Sequence, residues 1–408
     1  MKKLSEEKKD KKKHLLFFIP SLRYGGAERV VVNLSRALVD SGRYRVSILL
    51  LEGSADYPIS DDIEVTRLYY GKRDIFSKTR SLIYDPFILK DFVENNDVDI
   101  VLSFMQRPNV INLMAKAFGA KHSPCVNVRV CLTKQYENIP RLFKFICRIA
   151  LERLWRYAEV TFVNSYVIKD EIVTYFKVER NAINVVYNPL YIKEIEHFAK
   201  EEVEEEWFKQ KDIPVVINVG RLTKQKGHIY LLRATARIAA KRPIRLAIIG
   251  DGELKEKLIR ESKRLRIYDR VLFMGWQKNP YKYIMRSNVF VLSSLWEGFP
   301  NAVLESMACR CPVIVNNCPS GPSEMLLPER QEMDDIVESK YGILINKLSI
   351  SNLSDAIERI LDNKDLFKKY ADAGIERASQ FDLLPIAKNY EECLLKSLKD
   401  YRKEQHVF

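Results

Sequence analysis

Residues 297–305 read EGFPNAVLE and place two glutamates eight positions apart, with Gly298, Phe299 and Pro300 directly after the first. The stretch follows an apolar run, VFVLSS (289–294), with the composition of a buried strand. NAVLESMA should be a helix starting near Asn301, which puts Glu305 on its first turn or so and Glu297 just ahead of the turn. Carboxylates accept hydrogen bonds from vicinal hydroxyls, which suits a ribose and a sugar ring. The free amides after Pro300 favour an anion between them. A sugar, a diphosphate and a ribose in a row describe a nucleotide sugar. Taken alone, Glu305 is better explained as an acidic residue that complements the dipole of a helix N-terminus.

Other turns carry cations or glycines in comparable places. In GRLTKQKGH (220–228), Arg221 ends an apolar run and Lys226 follows five residues later, near a helix start. A planar guanidinium fork and a point-charge ammonium beside a helix N-terminus make a diphosphate clamp. In SLRYGGAERV (21–30), Tyr24-Gly25-Gly26 lets backbone approach a ligand, with a helix opening at Ala27. A plain tight turn is the competing explanation there. IIGDGELKEKL (248–258) offers Gly250 and Gly252, but Lys255 stands where a dinucleotide fingerprint needs its third glycine. No GxxxxGK[ST] loop occurs. Asp97-Val98-Asp99 matches an Asp-x-Asp pattern yet leads straight into the apolar run DIVLSFM (99–105), so it reads as a strand lead-in. No metal site and no cofactor are expected. The seven cysteines include Cys309, Cys311 and Cys318, whose spacing is not that of a zinc site, and they read as buried thiols.

These turns need elements to hold them. Short apolar runs alternate with helical patterns: HLLFFIP (14–20), RVSILLL (45–51), DIVLSFM and AEVTFVNS (158–165), then VVINVG (215–220), RLAIIG (245–250), VLFMG (271–275), VFVLSS and PVIVNN (312–317). Apolar strands separated by helices imply parallel sheets covered on both faces. Two such series imply an α/β chain of two doubly wound domains, whose ligands sit at the carboxyl ends of the strands. The length of 408 residues agrees with two domains. A charged break near 188–213 marks the boundary. The expected organisation is a basic tail over 1–13, a first domain over 14–200, a second over 201–380, and a C-terminal segment over 381–408. That last segment reads as an amphipathic helix crossing back to the first domain.

Lysine and arginine exceed aspartate and glutamate by 67 − 54 = 13, which favours an anionic partner. No apolar run reaches the roughly 18 residues of a membrane span. The basic start followed by HLLFFIP lacks a small-residue cleavage site, so no signal peptide is expected.

Taken together, the segments resemble the retaining glycosyltransferases of family 4, which have the GT-B fold of two Rossmann-like domains facing each other across a cleft. The resemblance rests on Gly25-Gly26-Ala27-Glu28, Gly220-Arg221 with Lys226-Gly227, Gly250-Asp251-Gly252, and Glu297 through Glu305. It implies that Glu305 binds the ribose and Glu297 the donor sugar. It implies that Arg221 and Lys226 hold the diphosphate, helped by backbone amides of Gly298, Phe299, Asn301 and Val303 around Pro300. It also implies that Gly25 and Gly26 approach the donor phosphate from the acceptor-binding first domain, and that the turn at Trp276 and Gln277 meets the base. The sequence departs from the family where many members carry a histidine near the reacting carbon: VNVRVCLTKQY has Arg129 there. Arg129 either contacts the phosphate or acceptor, or is structural.

By this resemblance the enzyme moves a hexose or N-acetylhexosamine, with a uridine diphosphate donor expected, and needs no metal. The leaving diphosphate is stabilised by cations and helix N-termini and takes the acceptor's proton. RLFKFICRIALERLWRY (141–157) mixes large apolar and basic residues. It is either a core helix with a solvated basic face or one that rests on an anionic membrane. A lipid-linked or polysaccharide acceptor in surface glycan synthesis is expected, in the cytoplasm or at the inner face of the cell membrane, with no nucleic-acid partner. Two other functions compete. A sugar-nucleotide epimerase shares the fold but would need acid and base groups in the cleft, where His122 (expected at the surface) and His14 are the few candidates. A non-catalytic polyanion-binding protein would show strong salt dependence.

Overall fold

The computed structural model describes residues 12–23, 25–69, 75–135, 139–210, 212–319, 321–327 and 334–405. Most of the basic tail and Tyr24 lie outside them. The first sheet is built from β1 (Lys13–Ile19), β2 (Tyr44–Leu50), β3 (Glu64–Arg67), β4 (Ile100–Phe104), β5 (Ser123–Val128), β6 (Val160–Val163) and β7 (Ile183–Val185). Its order is β3-β2-β1-β4-β5-β6-β7, and every pairing is parallel. The second sheet uses β8 (Val215–Val219), β9 (Arg245–Ile249), β10 (Val271–Gly275), β11 (Val289–Leu292), β12 (Val313–Asn316), β13 (Ile336–Glu338) and β14 (Ile343–Ile345), in the order β10-β9-β8-β11-β12-β14-β13. Only β13 runs antiparallel, against β14 at the edge.

The near-continuous burial of β1, β4, β8 and β11 explains their sequences, because helices cover both faces of a parallel sheet. Five strands lay outside the apolar runs noted in the sequence: β3, β5, β7, β13 and β14. Of these, β5 has six residues and the other four have three or four each. In both sheets the order reverses beside the first strand of the series, with β1 between β2 and β4 and β8 between β9 and β11. The crevice at each switch point is where such sheets take ligands.

The chain crosses between the halves at two adjacent places. Leu190 bridges Asp382, and the Leu190 amide donates to the Phe381 carbonyl at 2.8 Å. The helix Ile192–Ala199 already packs in the core of the second sheet through Ile195 and Ala199. The crossover therefore falls near Leu190, about ten residues before the break expected after residue 200. The charged stretch that suggested the later boundary is the surface of that helix and its sequel. Strand β1 likewise begins at Lys13, one residue inside the expected tail. The long helix Leu383–Gln405 returns to the first sheet. Ile386, Tyr390 and Leu394 are buried with Phe17, Phe104 and Phe162, and the Tyr390 ring lies 4.6 Å from Phe162. A cluster of Tyr187, Phe299 and Phe381 fills the junction.

Both lone-histidine candidates are structural. His122 is fully buried rather than at the surface, and its Nε2 meets Asn112 Oδ1 at 2.8 Å. His14 lies inside β1 and contacts Ser47 Oγ at 2.7 Å. Asp99, from the Asp-x-Asp stretch, accepts from the His14 amide at 2.9 Å and pairs with Lys13 at 2.5 Å, which ties β4 to β1. Cys125, Cys147, Cys309, Cys311, Cys318 and Cys393 are free thiols.

Candidate active site

The loop after β11 carries the two glutamates. Glu297 is held within its own half of the molecule. Its Oε1 accepts from Lys226 Nζ and from Ser294 Oγ, each at 2.6 Å, and Gln225 Nε2 approaches Oε2 at 3.5 Å. Lys226 reaches it because Gly227 takes a left-handed turn (φ +61°) that ends a short 3₁₀ segment and starts the helix His228–Ala239. A Cβ at Gly227 would lie 2.1 Å from the Ser293 carbonyl oxygen, so this close approach of two loops requires glycine.

Glu305 sits inside the helix Asn301–Ala308, and its partner comes from the other half. Arg29 Nη1 donates to Glu305 Oε1 at 2.6 Å and also to the Tyr281 hydroxyl. Both glutamate side chains are 7% exposed, so each pair is largely withdrawn from water. Breaking a pair of this kind by deleting one partner costs about 3–5 kcal/mol, because the other charge stays buried. Burial pulls the Arg29 guanidinium towards losing its proton. Glu305, Tyr281 and Tyr57 outweigh that and hold it well above the usual range.

The first half contributes the Gly25-Gly26 turn. Gly25 precedes the helix Gly26–Asp40, one residue earlier than the expected start. The Glu28 carboxylate folds back over this helix start, where a Cβ on Gly25 would come 2.3 Å from Glu28 Oε2. Burial raises the Glu28 pKa, while a bond from its own backbone N–H and the charge of Arg221 across the cleft oppose the rise. The anion position expected for donor phosphate at this helix start is thus taken up by Glu28. Asn301 Nδ2 reaches the Gly26 carbonyl at 3.4 Å, so the two halves meet beside the glutamate loop. Gly298 lies against the Arg129 backbone, where an added Cβ would sit 1.8 Å from the Arg129 carbonyl oxygen.

The remaining expected residues are placed as follows. Arg221 is exposed at the end of β8. Arg129 is buried, and its guanidinium turns inward to Asn127 at 3.1 Å, Tyr390 at 3.3 Å and Asn188. The Phe299 ring is part of the junction, and its carbonyl accepts from Asn188 Nδ2 at 3.0 Å. Val303 is a core residue whose amide already donates to the Pro300 carbonyl at 3.1 Å. Gln277 donates to its own loop, at the Met274 carbonyl, 2.8 Å away, and Trp276 beside it is 47% exposed. Among the described residues no group of three or more His, Cys, Asp or Glu is arranged to hold a metal.

Sequence reasoning gave Glu28 no role beyond the resemblance and missed Arg29, Tyr281 and Asn188. Glu28 and Arg29 follow directly on a glycine turn that had been singled out, so their position was a signal. Asn188 had only the Asn-Pro step at the crossover, and nothing in the local sequence pointed to Tyr281.

Comparison with known proteins bears on the family and the fold. Residues 24–193 match the family described as Glycosyltransferase Family 4, and residues 199–377 match Glycosyl transferases group 1. The chain belongs to the family 4 glycosyltransferases. A Campylobacter jejuni relative, N-acetylgalactosamine-N,N'-diacetylbacillosaminyl-diphospho-undecaprenol 4-alpha-N-acetylgalactosaminyltransferase, is 29% identical over 93% of this chain and 98% of its own. An uncharacterized glycosyltransferase of Methanocaldococcus jannaschii is 36% identical over 61% of this chain and 66% of its own. Among solved structures, a sucrose-phosphate synthase from Thermosynechococcus elongatus superposes with a TM-score of 0.77 at 18% identity, covering 94% of this chain and 99% of that one. Anabaena HepE in complex with UDP-glucose superposes at 0.73 and 18% identity, with the same coverage. The fold of this glycosyltransferase is GT-B, two Rossmann-like α/β domains.

Proposed function

We propose that this glycosyltransferase moves a hexose or N-acetylhexosamine from a nucleoside diphosphate sugar to a lipid-linked or polysaccharide acceptor, with retention and without a metal. The observation that carries the reading is the pairing of each loop glutamate with a cation on either side of one helix start: Glu297 with Lys226 and Glu305 with Arg29. In this reading Glu305 accepts the ribose hydroxyls and Glu297 those of the sugar. Lys226, Arg221 and the start of the helix Asn301–Ala308 would then meet the charge that develops on the leaving diphosphate. The acceptor hydroxyl attacks the face the diphosphate leaves, and the departing phosphate oxygen takes its proton. That route asks for no protein base in the place where Arg129 stands. Arg129, held by Asn127, Asn188 and Tyr390, supports the cleft wall behind Gly298. Uridine donors are the first to test, in line with the UDP-glucose carried by the Anabaena fold neighbour.

An acceptor at a membrane surface is supported by the helix Arg141–Leu154. Only Leu151 of it is buried, while Leu142, Phe143, Phe145 and Ile146 are each at least half exposed beside Arg141, Lys144 and Arg148. This favours a surface-lying helix over a core helix. The undecaprenol-linked acceptor in the name of the Campylobacter relative points the same way. Among the described residues no helix is long and apolar enough to cross a membrane.

Saturation-transfer NMR with a panel of nucleotide sugars, on wild type and Glu305→Ala, tests the donor. One preferred donor, lost in the variant, is expected; binding of none would overturn the reading. Charge reversal at Arg141, Lys144 and Arg148 should weaken binding to vesicles containing anionic lipid by about a hundredfold or more, at roughly 1 kcal/mol per charge. Unchanged sedimentation with vesicles would remove the membrane part.

A further inference from the structure

We propose that Arg29 is a positioning residue of the donor site: reaching from the first half, it orients the Glu305 carboxylate of the second half for the nucleotide ribose, so that the ribose subsite is complete only when the halves are closed. The inference rests on Glu305 as the ribose-binding carboxylate. Arg29 lies in the first turn of the helix Gly26–Asp40, and its amide donates to the Gly25 carbonyl at 3.1 Å. Its guanidinium is held by more than Glu305. It lies 5.6 Å from the Tyr281 ring centre and 5.9 Å from that of Tyr57. The Tyr57 hydroxyl in turn donates to the Gly25 carbonyl at 3.2 Å. The glycine turn, Tyr57, Arg29, Tyr281 and Glu305 therefore form one assembly that spans the cleft.

The stoichiometry of the carboxylate makes the role specific. An ionised carboxylate offers about four acceptor positions on two oxygens. Arg29 uses one on Oε1 and anchors that oxygen, which leaves Oε2 and part of Oε1 for two vicinal hydroxyls. Glu305 is 5% exposed. Without Arg29 it becomes a buried acid with its ion-pair partner removed and its rotamer released, and a hydroxyl pair then meets a carboxylate no longer held in place. Glu297 differs, since Lys226 and Ser294 belong to its own half and stay with it whether the cleft is open or closed.

The test is isothermal titration of UDP, GDP and ADP into wild type, followed by the 2′-deoxy form of the tightest of them. Both forms are then titrated into Arg29→Met, Arg29→Lys, Glu305→Gln and the Arg29→Met/Glu305→Gln double variant. A hydrogen bond to a charged group predicts that wild type prefers the ribonucleotide by about tenfold or more. Arg29→Met and Glu305→Gln should each abolish most of that preference, and the double variant should lose no more than the worse single one. Arg29→Lys should retain part of it, since an ammonium cannot bridge Glu305 and Tyr281 from one planar fork. If Arg29→Met fails to fold, the reduced preference in Arg29→Lys decides. Loss of the preference in Glu305→Gln with the full preference kept in the Arg29 variants would overturn the role of Arg29 and leave the donor reading standing. A preference unchanged in Glu305→Gln, or no binding of any of the three nucleotides to wild type, would overturn the donor reading and the role of Arg29 with it.

Discussion

Glu297 and Glu305 stand on one loop and helix, yet they are built in different ways. Glu297 draws its partners, Lys226, Ser294 and Gln225, from turns of the same sheet. Glu305 draws Arg29 from the opposite half, and the Tyr281 hydroxyl of its own half accepts from the same Arg29 nitrogen. On the proposed roles, the sugar end of the site is preformed in one domain, while the ribose end is assembled across the cleft. A site divided this way would couple donor binding to closure, because only the closed form would present both carboxylates oriented. Closure has other ties. Glu324 caps the start of the helix Tyr166–Phe176 at the Tyr166 amide (2.8 Å) and accepts from the Tyr187 hydroxyl at 3.0 Å. Asn188 joins the crossover to Asn301 and Phe299.

The contrast can be broken at its strongest point first. Lys226→Ala removes the cation of the preformed end and should lower kcat by about 10²–10³-fold, the usual cost of losing one preorganised group that stabilises developing charge. Steady-state assays with the donor found by NMR measure it; a loss under tenfold would mean that Lys226 only anchors Glu297.

A second measurement asks whether the halves are alike where no ligand is involved. Each half buries one histidine against an asparagine, His122 with Asn112 and His228 with Asn218. Burial, with a nearby lysine adding to it in each case, lowers their pKa values to about 3 and about 4. The unfolded chain takes up these protons near pH 6.5, and the folded chain does so only near those lower values. Between them the unfolded state binds more protons, so stability must fall as pH drops from about 6.5 towards 4. The loss should approach about 3 kcal/mol per histidine. Urea melts at several pH values should show it, and His228→Gln should flatten part of the slope, with His122 and His14, whose pKa burial also lowers, contributing to the rest. An equal slope in that variant would rule out His228 as a contributor.

The cross-cleft end should respond to contacts that the preformed end ignores. Gly298→Ala places a Cβ against the Arg129 carbonyl and forces the halves apart. Nucleotide affinity should fall by about tenfold, with the Lys226–Glu297 pair intact. Glu324→Ala, farther from the site, should weaken nucleotide binding by only about three- to tenfold, through loss of one charged cap. Titration calorimetry compares the two; a Glu324→Ala effect as large as that of Gly298→Ala would mean that closure is held by the whole interface rather than at the loop.

Much of this was legible in the chain. Nine apolar runs became strands, because burial on both faces leaves no alternative composition for a parallel strand. EGFPNAVLE opened a helix at Asn301 because Pro300 suits a helix start and the following residues are helix formers. β3, β7, β13 and β14 escaped notice because three or four residues carry no period that can be counted. The sequence by itself determined two doubly wound domains and the order of the turns that carry charge, since both follow from local periodicity and from what lies at the end of each strand. Only the tertiary structure decided which charges meet. Arg29 and Glu305 are 276 residues apart, Glu28 turns back over its own helix, and Arg129 faces inward to Tyr390 of the returning helix. Such pairings depend on how the two sheets are set against each other, and no spacing along the chain records that.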